Sequence, residues 1–245
     1  MTLLPNQLVY LVYSLLFVLA WLALFLARKD LRGPMLLMSL AVAPQGPLSQ
    51  FWYLQDYWKP ITLTGTAVGI EDVLGGFALG GITLALYPAF ANKQLLGRDP
   101  QAVDWSVLLV FAASFIVCFA GGTSLLHINS IITSAFALLL TSAYELYRRR
   151  DLLYPALVSG LLMFLLFIAI YFVMRLVYPP LLQAWCTGCN PSGIVLFGVN
   201  LEELIWDIAW GLCGGILFPA VAGFTFAPRL PAAQRVEPSG TMQAG

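Results

Sequence analysis

The chain of 245 residues is 60% hydrophobic and only 10% charged, with a mean hydropathy of +0.85. Soluble domains carry about 25% charged residues, so an ordinary water-soluble enzyme is excluded. Twelve basic against twelve acidic residues leave no concentrated basic face for a nucleic-acid partner.

The solvent is therefore lipid. At about 20 residues per spanning helix, seven spans use about 140 residues and leave short connections and one tail, with no room for a soluble catalytic domain. Met1 to Gln7 contain no lysine or arginine, and the apolar run after them is long enough to span, so the first helix is expected to stay rather than to be cleaved.

Apolar runs between polar breaks predict helices over 7–27, 34–55, 66–91, 104–121, 125–147, 152–178 and 194–226. The second carries Pro44-Gln45-Gly46-Pro47 at its middle, which predicts a kink with freed carbonyls. It ends in an aromatic cluster, Phe51 to Trp58. That cluster reads either as an interfacial belt or as the lining for an elongated apolar ligand. The third span opens on Glu71-Asp72 and the seventh on Glu202-Glu203, with Asp207 one turn later. Pro88 and Pro219 predict kinks in the same two spans.

Gly76 and Gly80, like Gly211 and Gly215, stand four apart, the spacing of close helix contact in membranes. His127 follows Gly121-Gly122 near the start of the fifth span and reads as an interfacial hydrogen-bonding side chain or a proton relay.

Cys118 and Cys213 lie in apolar stretches, while Cys186 and Cys189 form a C-x-x-C in a loop. A zinc site needs four grouped ligands, so the loop pair is expected to be a disulfide or free thiols, with redox or metal chemistry as the alternative.

Basic residues mark alternate loops. Arg28, Lys29 and Arg32 follow the first span, Lys93 and Arg98 the third, Arg148, Arg149 and Arg150 the fifth, and Arg229 and Arg235 the seventh. Only Lys59 and Arg175 lie near the opposite side. The positive-inside rule then puts the N-terminus outside and the C-terminus in the cytoplasm, in what is expected to be a prokaryotic cytoplasmic membrane. The tail 229–245, rich in Pro, Ala, Gly and Ser, is expected to be disordered.

A shift of 131 positions lays Glu71-Asp72 over Glu202-Glu203, and Ala78, Gly80, Leu86, Pro88, Ala89 and Ala91 over their counterparts up to Ala222. A shift of 121 lays Arg28-Lys29-Asp30-Leu31 and Pro34 over Arg149-Arg150-Asp151-Leu152 and Pro155. The expected fold is thus an all-α integral membrane protein of seven transmembrane helices. Two parallel three-helix repeats, 1–91 and 125–228, are joined by a linker, 92–124, that carries the fourth helix.

The acids need a reason. An Asp or Glu at the centre of a span costs about 2.5–3.5 kcal/mol, less toward the interface. Glu71, Asp72, Glu202, Glu203 and Asp207 together cost on the order of 10 kcal/mol, comparable with a whole domain's stability. They either cap helix starts, where the helix dipole favours anions, or form a shared site. Their recurrence at matched positions of both halves favours the site.

The duplicated paired-acid motif, here Gly69-Ile70-Glu71-Asp72 and Asn200-Leu201-Glu202-Glu203, and the linker helix between the halves resemble the flavin-independent membrane lycopene cyclases. That family's motif is approximately Pro-x-Glu-Glu/Asp, and both prolines are missing here. The resemblance covers nearly the whole chain. It implies cyclisation of the end group of a linear polyene, an isomerisation without redox change or cofactor. A neutral carboxylic acid protonates a terminal double bond, a second double bond attacks the cation, and a base removes a proton. Closely placed buried acids suit the first step. It implies catalytic roles for Glu71, Asp72, Glu202, Glu203 and, as a base or a partner of Glu203, Asp207. The faces of Trp52, Phe77, Trp206 and Trp210 would stabilise the cation.

Two other readings stand beside it. A membrane prenyltransferase needs magnesium and basic residues around a diphosphate, and only Lys59 lies close to an acidic motif. A transporter or proton-coupled carrier also fits a parallel repeat with kinked spans. No Walker motif and no G-x-G-x-x-G after a strand is present, so no nucleotide cofactor is indicated; no metal is expected. The expected partners are a hydrophobic polyene and membrane lipid, with homo-oligomerisation left open.

Overall fold

The computed structural model describes residues 4–97, 103–186, 188 and 190–229. Arg98, Cys189 and the tail beyond Arg229, which carries Arg235, lie outside the described residues.

Among the described residues six helical stretches are long and apolar enough to cross a membrane: Asn6–Ala27, Ile70–Phe90, Trp105–Leu126, Ser130–Arg148, Arg150–Val177 and Leu201–Ala222. We label the helices α1 (Asn6–Ala27), α2 (Arg32–Val42), α3 (Gln45–Asp56), α4 (Ile70–Phe90), α5 (Trp105–Ser114), α6 (Gly122–Leu126), α7 (Ser130–Arg148), α8 (Leu153–Val177), α9 (Leu181–Trp185) and α10 (Leu201–Ala222). The segment expected as the second span is two short helices, α2 and α3, separated at Ala43-Pro44. The proline expected to kink one helix instead divides two, because Pro44 offers no N–H to the turn before it. α5 runs into α6 through a π-helical segment, Phe115–Gly121, so this crossing is longer than expected and absorbs Gly121-Gly122.

The chain is not purely helical. Residues 194–200, expected inside the last span, form a small antiparallel turn of β2 (Val195–Leu196) and β3 (Val199–Asn200). Gly193 and Gly198, both at positive φ, reverse the chain there. At the other end of the bundle β1 (Lys93–Gly97) pairs antiparallel with β4 (Phe224–Pro228). The central pair is Leu95 with Phe226, and each residue of β1 has a β4 residue 131 positions later.

α4 and α10 form the middle of the bundle. α4 packs on α1 and α2, α10 on α7 and α8, and the two touch each other. Close approach is what their glycines provide. A Cβ on Gly76 would stand 3.0–3.2 Å from backbone atoms of Val42, Ala43 and Gly46, so α4 crosses the α2–α3 break backbone against backbone. Gly211 makes the corresponding approach to Ser159 and Gly160 of α8.

Two arginine clamps fix the ends of these helices. Arg28, 4% exposed, donates to both carboxylate oxygens of Asp30 at 3.0 and 2.7 Å and to the carbonyls of Pro88 and Lys93. Arg149 donates to Asp151 twice at 2.8 Å and to the carbonyls of Pro219 at 3.4 Å and Phe224 at 2.9 Å. The guanidinium charge sits where the C-terminal carbonyls of α4 and α10 gather negative potential.

Arg28's hydrogen bonds hold the Asp30 carboxyl below the usual aspartate range. The clamp therefore contributes stability above the unfolded-state value of about 4 and loses it as pH falls through the lowered folded value. The Asp104 carboxyl, held low chiefly by Ser106, acts in the same window. The clamp's contribution to the thermal unfolding temperature of the detergent-solubilised protein should be constant from pH 7 to 5 and fall below about pH 4. Arg28→Met should lower that temperature at neutral pH, by about 2 kcal/mol or more of stability, and weaken its acid dependence. An unchanged acid limb in that variant would remove the clamp from the account.

Candidate active site

Both acid pairs occupy the first turns of central helices, and the two members of each pair do different things. Glu71 Oε1 accepts the backbone N–H of Leu63 at 2.6 Å, and Glu202 Oε1 accepts that of Ser192 at 2.7 Å. The first acid of each pair thus ties down the loop that leads into its helix. Successive helical residues point about 100° apart, which turns the second acid inward. Asp72 and Glu203 both line one internal cavity.

Asp72, 2% exposed, is surrounded by donors. Tyr10 Oη and Gln50 Nε2 donate to Oδ1 at 2.5 and 2.6 Å, and the Gly69 N–H donates to Oδ2 at 2.7 Å. Glu203 accepts one described side-chain hydrogen bond, from Tyr171 Oη at 2.7 Å. Asp207 is fully buried, and both its oxygens lack a hydrogen-bond partner among the described residues. It does not line the cavity but stands one turn below Glu203 on the same face of α10.

The cavity and the open solvent at its mouth together take up about 860 Å³. Aromatic residues make about half of its wall: Tyr10, Tyr13 and Phe17 from α1, Tyr53, Tyr57 and Trp58 around α3, Phe115 and Phe119 from the π-helical segment, Phe167 from α8, and Trp206 and Trp210 from α10. The two tryptophans stack at 5.6 Å and 10°, and Trp210 Nε1 donates to Thr83 Oγ1 of α4 at 3.0 Å. No lysine, arginine or histidine is among the described residues of the wall. Among the described residues no three His, Cys, Asp or Glu side chains converge as metal ligands.

Of the aromatics singled out from sequence, Trp206 and Trp210 are in the wall and two are not. Trp52 lies behind it, packed on Phe119 with ring centroids 5.2 Å apart and donating to Ser124 Oγ at 2.9 Å. Phe77 faces away, against Trp21 at 5.1 Å. His127 is exposed, in the left-handed conformation that ends α6 (φ 54°), and Lys59 is exposed outside the cavity. Cys186 is disulfide-bonded, while Cys118 and Cys213 are free.

The donors Tyr10, Gln50 and Tyr171 escaped the sequence reading. Their signal is faint: a hydroxyl or amide inside an apolar helix becomes informative only once an acid faces it. The chain matches no protein-family model, no curated protein and no solved structure.

The pairs should separate on substitution. Glu71→Gln and Glu202→Gln keep an oxygen for the loop N–H and should stay within about 1 kcal/mol of the parent in thermal unfolding. Asp72→Asn turns an NH2 toward one of three donors and should cost about 1–3 kcal/mol. Equal effects at Glu71 and Asp72 would contradict the division between loop-holding and cavity-facing acids.

Proposed function

We propose that this protein is a membrane cyclase, which closes a ring at the end of a linear, lycopene-like polyene isoprenoid. The observation that carries the reading is a single aromatic-walled cavity into which one carboxyl from each acidic motif faces, Asp72 and Glu203. An end group is a hydrocarbon, so its site needs apolar walls, a proton donor, a proton acceptor and surfaces that stabilise a cation without attacking it. Trp206 and Trp210 offer such faces. A diphosphate substrate calls for lysine or arginine around it, and none is among the described residues of the wall.

The proposal includes a seven-crossing plan of two parallel three-helix repeats, with α2 and α3 together making the second crossing, the N-terminus outside and the C-terminus in the cytoplasm. Several correspondences support it. α4 and α10 start 131 positions apart, at Ile70 and Leu201. Arg28 and Arg149 bind carbonyls that are also 131 apart, those of Pro88 and Pro219 and of Lys93 and Phe224. Gln50 and Tyr171, 121 apart, each donate to the second acid of their half. The pairing of β1 with β4 about Leu95 and Phe226 has the local two-fold relation that such repeats require.

The chemistry follows from the wall. With the polyene end held among the rings, a neutral carboxyl protonates the terminal double bond. The next suitably placed double bond closes on the tertiary cation, and a carboxylate removes the adjacent proton. Exclusion of water by the aromatic lining keeps the cation from being captured as an alcohol.

Purified protein in detergent or lipid should convert an added linear polyene into a cyclic isomer of the same mass, with EDTA present and without flavin or nicotinamide. A strict magnesium requirement with release of diphosphate would move the assignment to prenyl transfer. Activity only with reduced flavin would contradict the mechanism, and recovery of bound but unchanged polyene would favour a carrier.

A further inference from the structure

Resting on that reading, we propose that the two halves divide the reaction, Glu203 delivering the proton to the polyene and Asp72 taking the proton away. A duplicated site could have two interchangeable acids, but the environments of these two differ. Three donors converge on Asp72, from Tyr10, Gln50 and Gly69. Hydrogen bonds that donate into a carboxyl stabilise its ionised form, which is the form a base needs.

Glu203 has one such donor among the described residues, Tyr171, and a second carboxyl beside it. Asp207 lies one turn along α10, fully buried, with neither oxygen partnered among the described residues. An ionised carboxylate out of water without donors is strongly disfavoured, and two neighbouring carboxyls out of water do not both ionise. The Glu203–Asp207 pair therefore retains a proton, and Glu203 is the member that reaches the cavity. The first half has no equivalent of Asp207: the residue 131 positions earlier is Gly76, which is needed there for backbone contact with α2. The stacked Trp206 and Trp210 stand on the Glu203 side, where positive charge first appears.

The steps balance. The terminal double bond takes the proton of Glu203, its π electrons forming the new C–H bond and leaving a tertiary cation. The second double bond supplies the electrons of the ring C–C bond and moves the cation onto the ring. Asp72 removes a proton from the adjacent carbon, and the electrons of that C–H bond become the ring double bond. Product and substrate share one formula. The site resets when Asp72 releases its proton and Glu203 takes one up, with no net proton consumed.

The test is deuterium incorporation from D2O during turnover of a linear polyene by the purified protein. The parent protein should give cyclic product carrying deuterium. Glu203→Gln should give neither ring nor deuterated linear polyene. Asp72→Asn should lower ring formation about 100-fold or more, the usual scale of a lost general base. The linear polyene recovered from it should gain deuterium through reversal of the protonation.

Tyr10→Phe leaves Asp72 in place and removes one of its donors, so it covers the case in which Asp72→Asn folds poorly. It should slow ring formation and raise the ratio of deuterated linear polyene to product. The reverse pattern, or loss of deuterium uptake in the Asp72 and Tyr10 variants as complete as in Glu203→Gln, would overturn the division while leaving cyclisation intact. A parent protein that leaves the polyene unchanged would overturn the cyclase reading, and this assignment with it.

Discussion

A carboxyl group taken out of water inside a lipid-solvated bundle must be given hydrogen-bond donors or a proton, and much of this structure is arranged around that constraint. Asp72 is supplied with donors from α1, from α3 and from the backbone before α4. Those three contacts fix how α1 and α3 sit on α4. Glu203 draws Tyr171 of α8 toward α10 in the same way. Each central helix is thus tied to its neighbours by its own acid, and the rings that come with those neighbours become the wall of the cavity.

The opposite end of the bundle is held by positive charge. Arg28 and Arg149 each bridge the aspartate two residues later to carbonyls at the end of a central helix and the start of a strand. With the clamps at one end and the acids at the other, α4 and α10 cannot slide along their axes without breaking several buried polar contacts. Their glycines allow them to lie close to α2 and α8, and the cavity opens between the acids, α1, α3, α8 and the crossing that contains the π-helical segment. A pre-formed cavity is what the proposed cyclisation through a short-lived cation would use.

How much of this the sequence carried depends on the range of the interaction. Long helices are legible because apolar runs of 20 residues have one common meaning in lipid; α1, α4 and α8 fall within a few residues of expectation. Where the chain reverses on Gly193 and Gly198, an apolar run that continues into α10 conceals a turn. The acid pairs are visible as expensive residues, yet which member faces inward is a matter of tertiary packing: loop N–H groups at Leu63 and Ser192 claim Glu71 and Glu202. The aromatics divide for the same reason. Nothing in the chain separates Trp52, which backs the wall, from Trp206, which forms it, because both are large rings on helices of the bundle. Tyr10 and Tyr171 gain their meaning only from the carboxyls opposite them.

The most direct measurement is chromatography of the pigments of lycopene-accumulating bacteria that express this chain, beside cells expressing the Asp72→Asn, Glu203→Gln double variant at equal membrane abundance. The account predicts cyclic carotenoid from the parent chain and only the linear pigment from the double variant. Linear pigment from both, or cyclic pigment from both, would contradict it.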